Sequence, residues 1–214
     1  MAQNQNMDQS ISDLAKFKIV FLGNQSVGKS SIILRYVTDS FNPNTDATIG
    51  VDFMVKNILH ANKVYRLHFW DTAGQERFKS LIPSYVKDCQ IAILVYDVND
   101  RKSFEDLTKW YALIQNERGD DIILGLIGNK IDLEGRSVTT QEGLKKAEIM
   151  SALFMECSAK TGQNLQMFFK TILETLIKGI STDGYQDVPQ GQALDTMQPG
   201  QRENNASTGG MCCK

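Results

Sequence analysis

The apolar run Lys18-Ile19-Val20-Phe21-Leu22 leads directly into Gly23-Asn24-Gln25-Ser26-Val27-Gly28-Lys29-Ser30, and this junction leaves few folds open. The spacing is G-x-x-x-x-G-K-[ST] between a buried strand and a helix. Glycines let the backbone turn so that successive N–H groups point inward at an anion. The helix that follows adds the positive end of its dipole. Such a loop cradles a polyphosphate. Lys29 brings a point charge to the terminal phosphates, and the Ser30 hydroxyl is a ligand for Mg²⁺. Gly23, Ser26, Val27, Gly28 and the following Ser31 complete the nucleotide-binding residues expected of this loop.

The surrounding pattern agrees with that junction. Ile91 to Tyr96 and Ile122 to Ile127 are continuous apolar runs, as expected of parallel strands covered on both faces. Leu153 to Cys157 is a shorter candidate strand. Val51 to His60 and Val64 to Trp70, separated by Ala61-Asn62-Lys63, predict an antiparallel hairpin. Leu165, Phe168, Phe169, Ile172, Leu173, Leu176 and Ile177 recur at helical spacing and mark a wide core-facing stripe. Leu107, Trp110, Tyr111 and Ile114 repeat it behind an expected Ser103-x-x-Asp106 start, and Thr139-x-x-Glu142 is a capping box. Strands alternating with helices predict a three-layer α/β domain: a mostly parallel six-stranded sheet with one antiparallel edge strand.

Two further motifs narrow the ligand. Asn129-Lys130-Ile131-Asp132 follows the run ending at Gly128. A carboxylate at Asp132 accepts hydrogen bonds from N1–H and the 2-amino group of guanine, whereas adenine would turn a lone pair toward it. Ser158-Ala159-Lys160 follows the next strand, and the Ala159 N–H is expected to face guanine O6, with the Lys130 stem covering one face of the base. Trp70-Asp71-Thr72-Ala73-Gly74-Gln75-Glu76 closes another strand. There Asp71 is expected to hold Mg²⁺ through water, the Gly74 N–H to reach a γ-phosphate, and Gln75 to orient the attacking water. Lys29 and Gln75 are the expected catalytic residues.

Composition sets the remaining bounds. The chain has 214 residues, 42% hydrophobic and 22% charged, which is ordinary for a globular domain. A net charge of −2 does not suit a protein that coats nucleic acid, so none is expected as a partner. No apolar run nears the roughly 20 residues of a membrane span, no secretory signal is visible, and a cytoplasmic chain is expected. Of four cysteines, Cys89 and Cys157 are expected as buried hydrophobes; Cys212 and Cys213 are adjacent near the end. The expected organisation is a disordered polar leader over 1–15, a nucleotide-binding domain over 16–178, and a Gly-rich flexible tail over 179–214.

With the three motifs in this order, the chain resembles a small GTPase from Lys16 to about Lys178, a P-loop NTPase of the G-domain type. Ile49-Gly50-Val51-Asp52-Phe53, Leu67-His68-Phe69-Trp70 and Arg77-Phe78-Lys79-Ser80-Leu81 resemble the Rab family in particular. The Gln-Ser-Val filling of the phosphate loop, Ile82-Pro83-Ser84-Tyr85 and Asn116-Glu117-Arg118-Gly119 resemble its Golgi-associated Rab-six branch.

The resemblance implies a monomeric switch in vesicle traffic that binds GTP or GDP with Mg²⁺ and hydrolyses GTP slowly. Thr48 would ligate Mg²⁺ and touch the γ-phosphate, and Gly74 would do so from a second segment. Loss of that phosphate would release both. Phe41 would pack on guanine, and Phe53, Trp70 and Tyr85 would form the aromatic triad that effectors read. Implied partners are a guanine nucleotide exchange factor, a GTPase-activating protein, a GDP-dissociation inhibitor, an escort protein, a geranylgeranyl transferase and trafficking effectors. Cys212 and Cys213 resemble a doubly prenylated Rab terminus, and two lipid chains hold where one anchors only marginally. The chain would then cycle between cytosol and the cytoplasmic face of intracellular membranes, with the Golgi the expected one.

Two departures bear on mechanism. Gln25 stands where many small GTPases carry Gly or Ser, and slow hydrolysis is expected in part from it. Thr45, expected at the nucleotide, stands where many relatives place an aromatic lid. No arginine in a phosphate-contacting motif is placed to act in cis, so one is expected from the activating protein. A nucleotide-locked scaffold, an unrelated P-loop ATPase or nucleoside kinase, and a soluble nuclear-transport GTPase are the competing readings at this level.

Overall fold

The computed structural model describes residues 14–44, 46–74 and 81–183. In chain order the elements are β1 (Ala15–Leu22), α1 (Lys29–Thr38), β2 (Val51–His60), β3 (Lys63–Thr72), α2 (Ile82–Val86), β4 (Ile91–Asp97), α3 (Arg101–Glu105), α4 (Leu107–Arg118), β5 (Ile123–Asn129), α5 (Thr140–Ile149), β6 (Leu153–Glu156) and α6 (Leu165–Asp183). The six strands form one sheet in the order β2-β3-β1-β4-β5-β6. Among the described residues only the β2–β3 pair is antiparallel; β1–β3, β1–β4, β4–β5 and β5–β6 are parallel. The expected fold class holds.

Each feature has a local cause. All seven residues of β4 are buried, because helices cover both faces of a central parallel strand. The edge strand β2 alternates in exposure instead. Ala61 and Asn62 both have positive φ between the paired His60 and Lys63, the two-residue turn whose twist suits a hairpin. On one face of the sheet Ile32, Ile33 and Tyr36 of α1 pack with Phe168, Phe169 and Ile172 of α6. On the other, Ile82 of α2, Phe104 of α3, Trp110 of α4 and Ala147 of α5 cover Leu94 and Leu126. Burial of this apolar surface, about 25 cal/mol per Å², holds the three layers together. Cys89 and Cys157 are buried and free, and burial pushes their thiols up to about 11 and about 12.

Three local expectations change. The Thr139–Glu142 capping box is present, but Ser103 starts no helix. Asp100 caps α3 by accepting from the Lys102 N–H, and Ser103 is buried, its Oγ accepting from the Asp97 N–H at 3.0 Å. β1 starts at Ala15 and pairs there with Tyr65, so the strand reaches beyond its apolar run. The last helix passes Lys178 and continues to Asp183, into the segment expected as tail, because Ile177 and Ile180 extend the stripe against the core. The rest of the expected leader and tail, with Cys212 and Cys213, lies outside the described residues.

Candidate functional site

The loops that follow β1, β3, β4, β5 and β6 all emerge at one edge of the sheet, the carboxyl ends of parallel strands, where open α/β sheets bind ligands. Between them lies a cavity of about 460 Å³. Its lining includes Gln25, Ser26, Gly28, Lys29, Ser30 and Ser31 from the phosphate loop and the start of α1. Phe41 and Thr48 come from the α1–β2 connection, and Gly74 from the loop after β3. Asn129, Lys130, Asp132, Ala159 and Lys160 close the other end. Gly23, Val27, Asp71 and Ser158 stand behind this wall, positioned through contacts with it. Thr45 and Gln75 lie outside the described residues.

At the phosphate end, Gly28 is the N-cap of α1 with φ 95°, so its carbonyl can start the helix, accepting from the Ile32 N–H at 2.9 Å. Lys29 is buried. Its Nζ donates to the carbonyls of Gly23 at 3.0 Å and Asn24 at 2.9 Å. Burial lowers its ammonium to about 8, opposed by the charge of Asp71. A cation held this way sits inside the loop before any anion arrives.

Ser30 and Thr48, from distant segments, meet at Asp71. The Ser30 hydroxyl donates to Asp71 Oδ2 in a short hydrogen bond and lies 2.8 Å from Thr48 Oγ1; Thr48 Oγ1 donates to Asp71 Oδ2 at 3.1 Å. Burial raises the Asp71 carboxyl above the usual range, against the Ser30 hydrogen bond, the Lys29 charge and the Thr48 hydrogen bond. The other oxygen, Asp71 Oδ1, is buried without a hydrogen-bond partner. Hard oxygens from two hydroxyls and a carboxylate beside a phosphate cradle suit Mg²⁺, which takes few protein ligands and completes its shell with water and phosphate oxygens. The donor set fits that ion, and the orphaned carboxylate oxygen gives it a reason to be there.

Gly74 touches the phosphate loop directly. A Cβ there would stand 2.4 Å from the carbonyl carbon of Asn24 and from the Gln25 nitrogen, so only glycine permits this approach. Asn24 is itself fixed from α4 and its cap. Trp110 Nε1 donates to Asn24 Oδ1 at 2.9 Å, and Asn24 Nδ2 donates to Asp106 Oδ2 at 2.9 Å.

At the base end, Ser158 Oγ donates to Asp132 Oδ1 at 2.6 Å and accepts from the Thr161 N–H at 3.0 Å. Lys160 Nζ is 4.0 Å from Asp132 Oδ2. One expectation changes here: the Ala159 N–H donates to Asn129 Oδ1 at 3.1 Å, so guanine O6 would share that donor rather than find it free. Lys130 has φ 69° and its Nζ lies 2.7 Å from Asp97 Oδ2, which lays the stem along the cavity. Asn99 donates to Asp97 Oδ1 and to the Lys130 carbonyl. Motif reading missed Asp97 and Asn99. Their signal was Asp97-Val98-Asn99 at the end of β4, in register with Asn129.

Phe53 of β2, Trp70 of β3 and Tyr85 of α2 form a continuous group. Phe53 meets Trp70 edge-on with centroids 5.2 Å apart, and Trp70 lies 5.5 Å from Tyr85. Phe53 is 45% exposed; Trp70 and Tyr85 are half-buried against the core. The Trp70 Nε1 is buried with no hydrogen-bond partner. A family model described as the Ras family matches residues 18–178, well over half of the chain.

Proposed function

Because this chain belongs to the Ras family of small GTPases, we propose that its GTP-binding domain serves as a Rab-type switch that recruits trafficking effectors to intracellular membranes. One observation carries the reading. Thr48 and Gly74, from two separate connections, both converge on the phosphate loop, through Ser30 and through Asn24 respectively. Phe53 lies just beyond Thr48, Trp70 just before Gly74, and the two rings touch. A γ-phosphate that holds both connections therefore also sets the aromatic surface, and its loss frees all three together.

In this reading the backbone N–H groups of residues 23–29 and the Lys29 ammonium bind the phosphates. Ser30, Thr48 and Asp71 would hold Mg²⁺, which would supply positive charge beside the phosphates. Asp132 reads the N1–H and 2-amino group of guanine, Ser158 fixes its carboxylate, Phe41 and the Lys130 stem flank the base, and Gln75 orients water. Gln25 lines the cavity, consistent with slow intrinsic hydrolysis that a GTPase-activating protein accelerates and an exchange factor resets. Lipidation of Cys212 and Cys213 by an escort protein and geranylgeranyl transferase, extraction by a GDP-dissociation inhibitor, and a Golgi address complete the proposal.

Nucleotide extracted from the purified chain tests the core of it: GDP or GTP with bound Mg²⁺ is expected, and ATP competing equally with GTP would exclude it. The membrane half is tested in eukaryotic cells, where the native chain should partition into detergent and a Cys212→Ser, Cys213→Ser double variant should not.

A further inference from the structure

Arg35, on α1 and outside every nucleotide-contacting motif, reaches the Ala159–Lys160 wall at the base end of the cavity. Its Nε donates to the Ala159 carbonyl at 3.0 Å and its Nη2 to the Lys160 carbonyl at 2.5 Å. Its Nη1 donates to the Asp39 carbonyl at 2.7 Å. The stem passes Gly162, where a Cβ would stand 3.7 Å from Arg35 Cδ. Three backbone acceptors, one at the end of α1 itself and two on the distant Ala159–Lys160 segment, share one planar fork, an arrangement an ammonium cannot copy. Asp39 ends α1 in the left-handed region and leads straight to Phe41.

The reach extends to the base-reading carboxylate. Peptide groups are planar and trans, so a hold on the Lys160 carbonyl also orients the Thr161 N–H of the same peptide. That N–H donates to Ser158 Oγ, which donates to Asp132 Oδ1. We infer that Arg35 is a positioning residue for guanine recognition, setting how long the base stays and how sharply its 2-amino group is distinguished. The inference rests on the guanine-nucleotide reading above.

Dissociation of labelled GDP and IDP from the full chain, chased with excess GDP, tests it. IDP keeps N1–H and O6 but lacks the 2-amino group that Asp132 would accept. Loss of one charge-assisted hydrogen bond's net contribution corresponds to roughly tenfold. Arg35→Ala should therefore release GDP roughly tenfold faster, release IDP with less acceleration so that the IDP-to-GDP rate ratio shrinks, and leave single-turnover GTP hydrolysis within about twofold. Arg35→Lys should remain fast. If Arg35→Ala does not fold, Arg35→Lys and Arg35→Gln supply the same comparison. GDP release within about twofold of native in these variants, or equal acceleration of both nucleotides, overturns the inference. A native chain that retains neither nucleotide overturns the guanine reading and this inference with it, whereas one that retains GDP normally isolates the failure to Arg35.

Discussion

Asn129 Nδ2 donates to the carbonyl of Val27 at 2.9 Å while Asn129 Oδ1 accepts from the Ala159 N–H at 3.1 Å. One side chain, 1% exposed, thus fastens the phosphate loop to both loops at the base end. The phosphate loop and the base end are thereby tied through one buried amide.

Gly28→Ala should break that junction. A Cβ at Gly28 would stand 2.3 Å from Asn129 Nδ2, at a φ of +95°. Left-handed strain of roughly 1–2 kcal/mol and a lost buried hydrogen bond of about 1–3 kcal/mol sum to roughly 2–5 kcal/mol, which, borne by the nucleotide-holding loop conformation, is an affinity loss of about 30-fold or more. Titration with a fluorescent GDP analogue measures it, and an undiminished affinity would disprove the coupling.

Asp71→Asn keeps the shape beside Ser30 and Thr48 but removes the charge. Mg²⁺ affinity should fall by about 10–100-fold, the usual cost of losing an outer-sphere carboxylate. Chelator should speed GDP release from the native chain and have little further effect on the variant. Equal chelator sensitivity in both would rule out a metal role for Asp71.

Lys29 should make nucleotide binding depend on pH. Burial lowers its ammonium to about 8, and a bound polyphosphate favours the charged form. Affinity is therefore full below about 8 and declines as pH rises through that value, by roughly tenfold between pH 7 and 9. Lys29→Arg, charged throughout, supplies the baseline for the nucleotide's own titration. Parallel pH profiles for the two proteins would refute the assignment.

Gly74→Ala places a methyl group against the Asn24–Gln25 backbone and should hold the loop after β3 away from the phosphates. Single-turnover GTP hydrolysis should drop by about 10²-fold, the scale of losing one positioned N–H donor. GDP affinity, which does not use that contact, should change by less than about threefold. A variant that hydrolyses GTP at the native rate would remove Gly74 from the switch.

How much was legible in advance depended on how far apart the interacting residues lie. The phosphate loop and the Thr139–Glu142 box are runs of neighbours whose motif is complete within a few residues, so spacing alone exposes them, whereas Asn129–Asp132 is read from its place after a strand and from its partner loop Ser158–Lys160. Arg35 and Ala159 are 124 positions apart, and Asn24 and Trp110 are 86 apart. No local pattern marks such pairs, because their side chains look like any Arg or Trp on an amphipathic helix. Ser103 shows the opposite failure: a good capping residue by type, it was outcompeted by Asp100, whose side chain caps α3 while Ser103 turns into the core.

The amino-acid order alone determined that a strand, a phosphate cradle and a helix occur together, that apolar runs build a parallel sheet, and that guanine is the base the loops suit. Those properties follow from short-range sterics, periodicity and donor–acceptor chemistry. Only the folded chain decided that Ser30 and Thr48 meet at Asp71, that Asn129 already occupies the Ala159 N–H, and that Arg35 supports the base-reading loop. Such contacts exist only once the sheet brings its strand ends to one edge, where distant groups must satisfy one another's hydrogen bonds out of water.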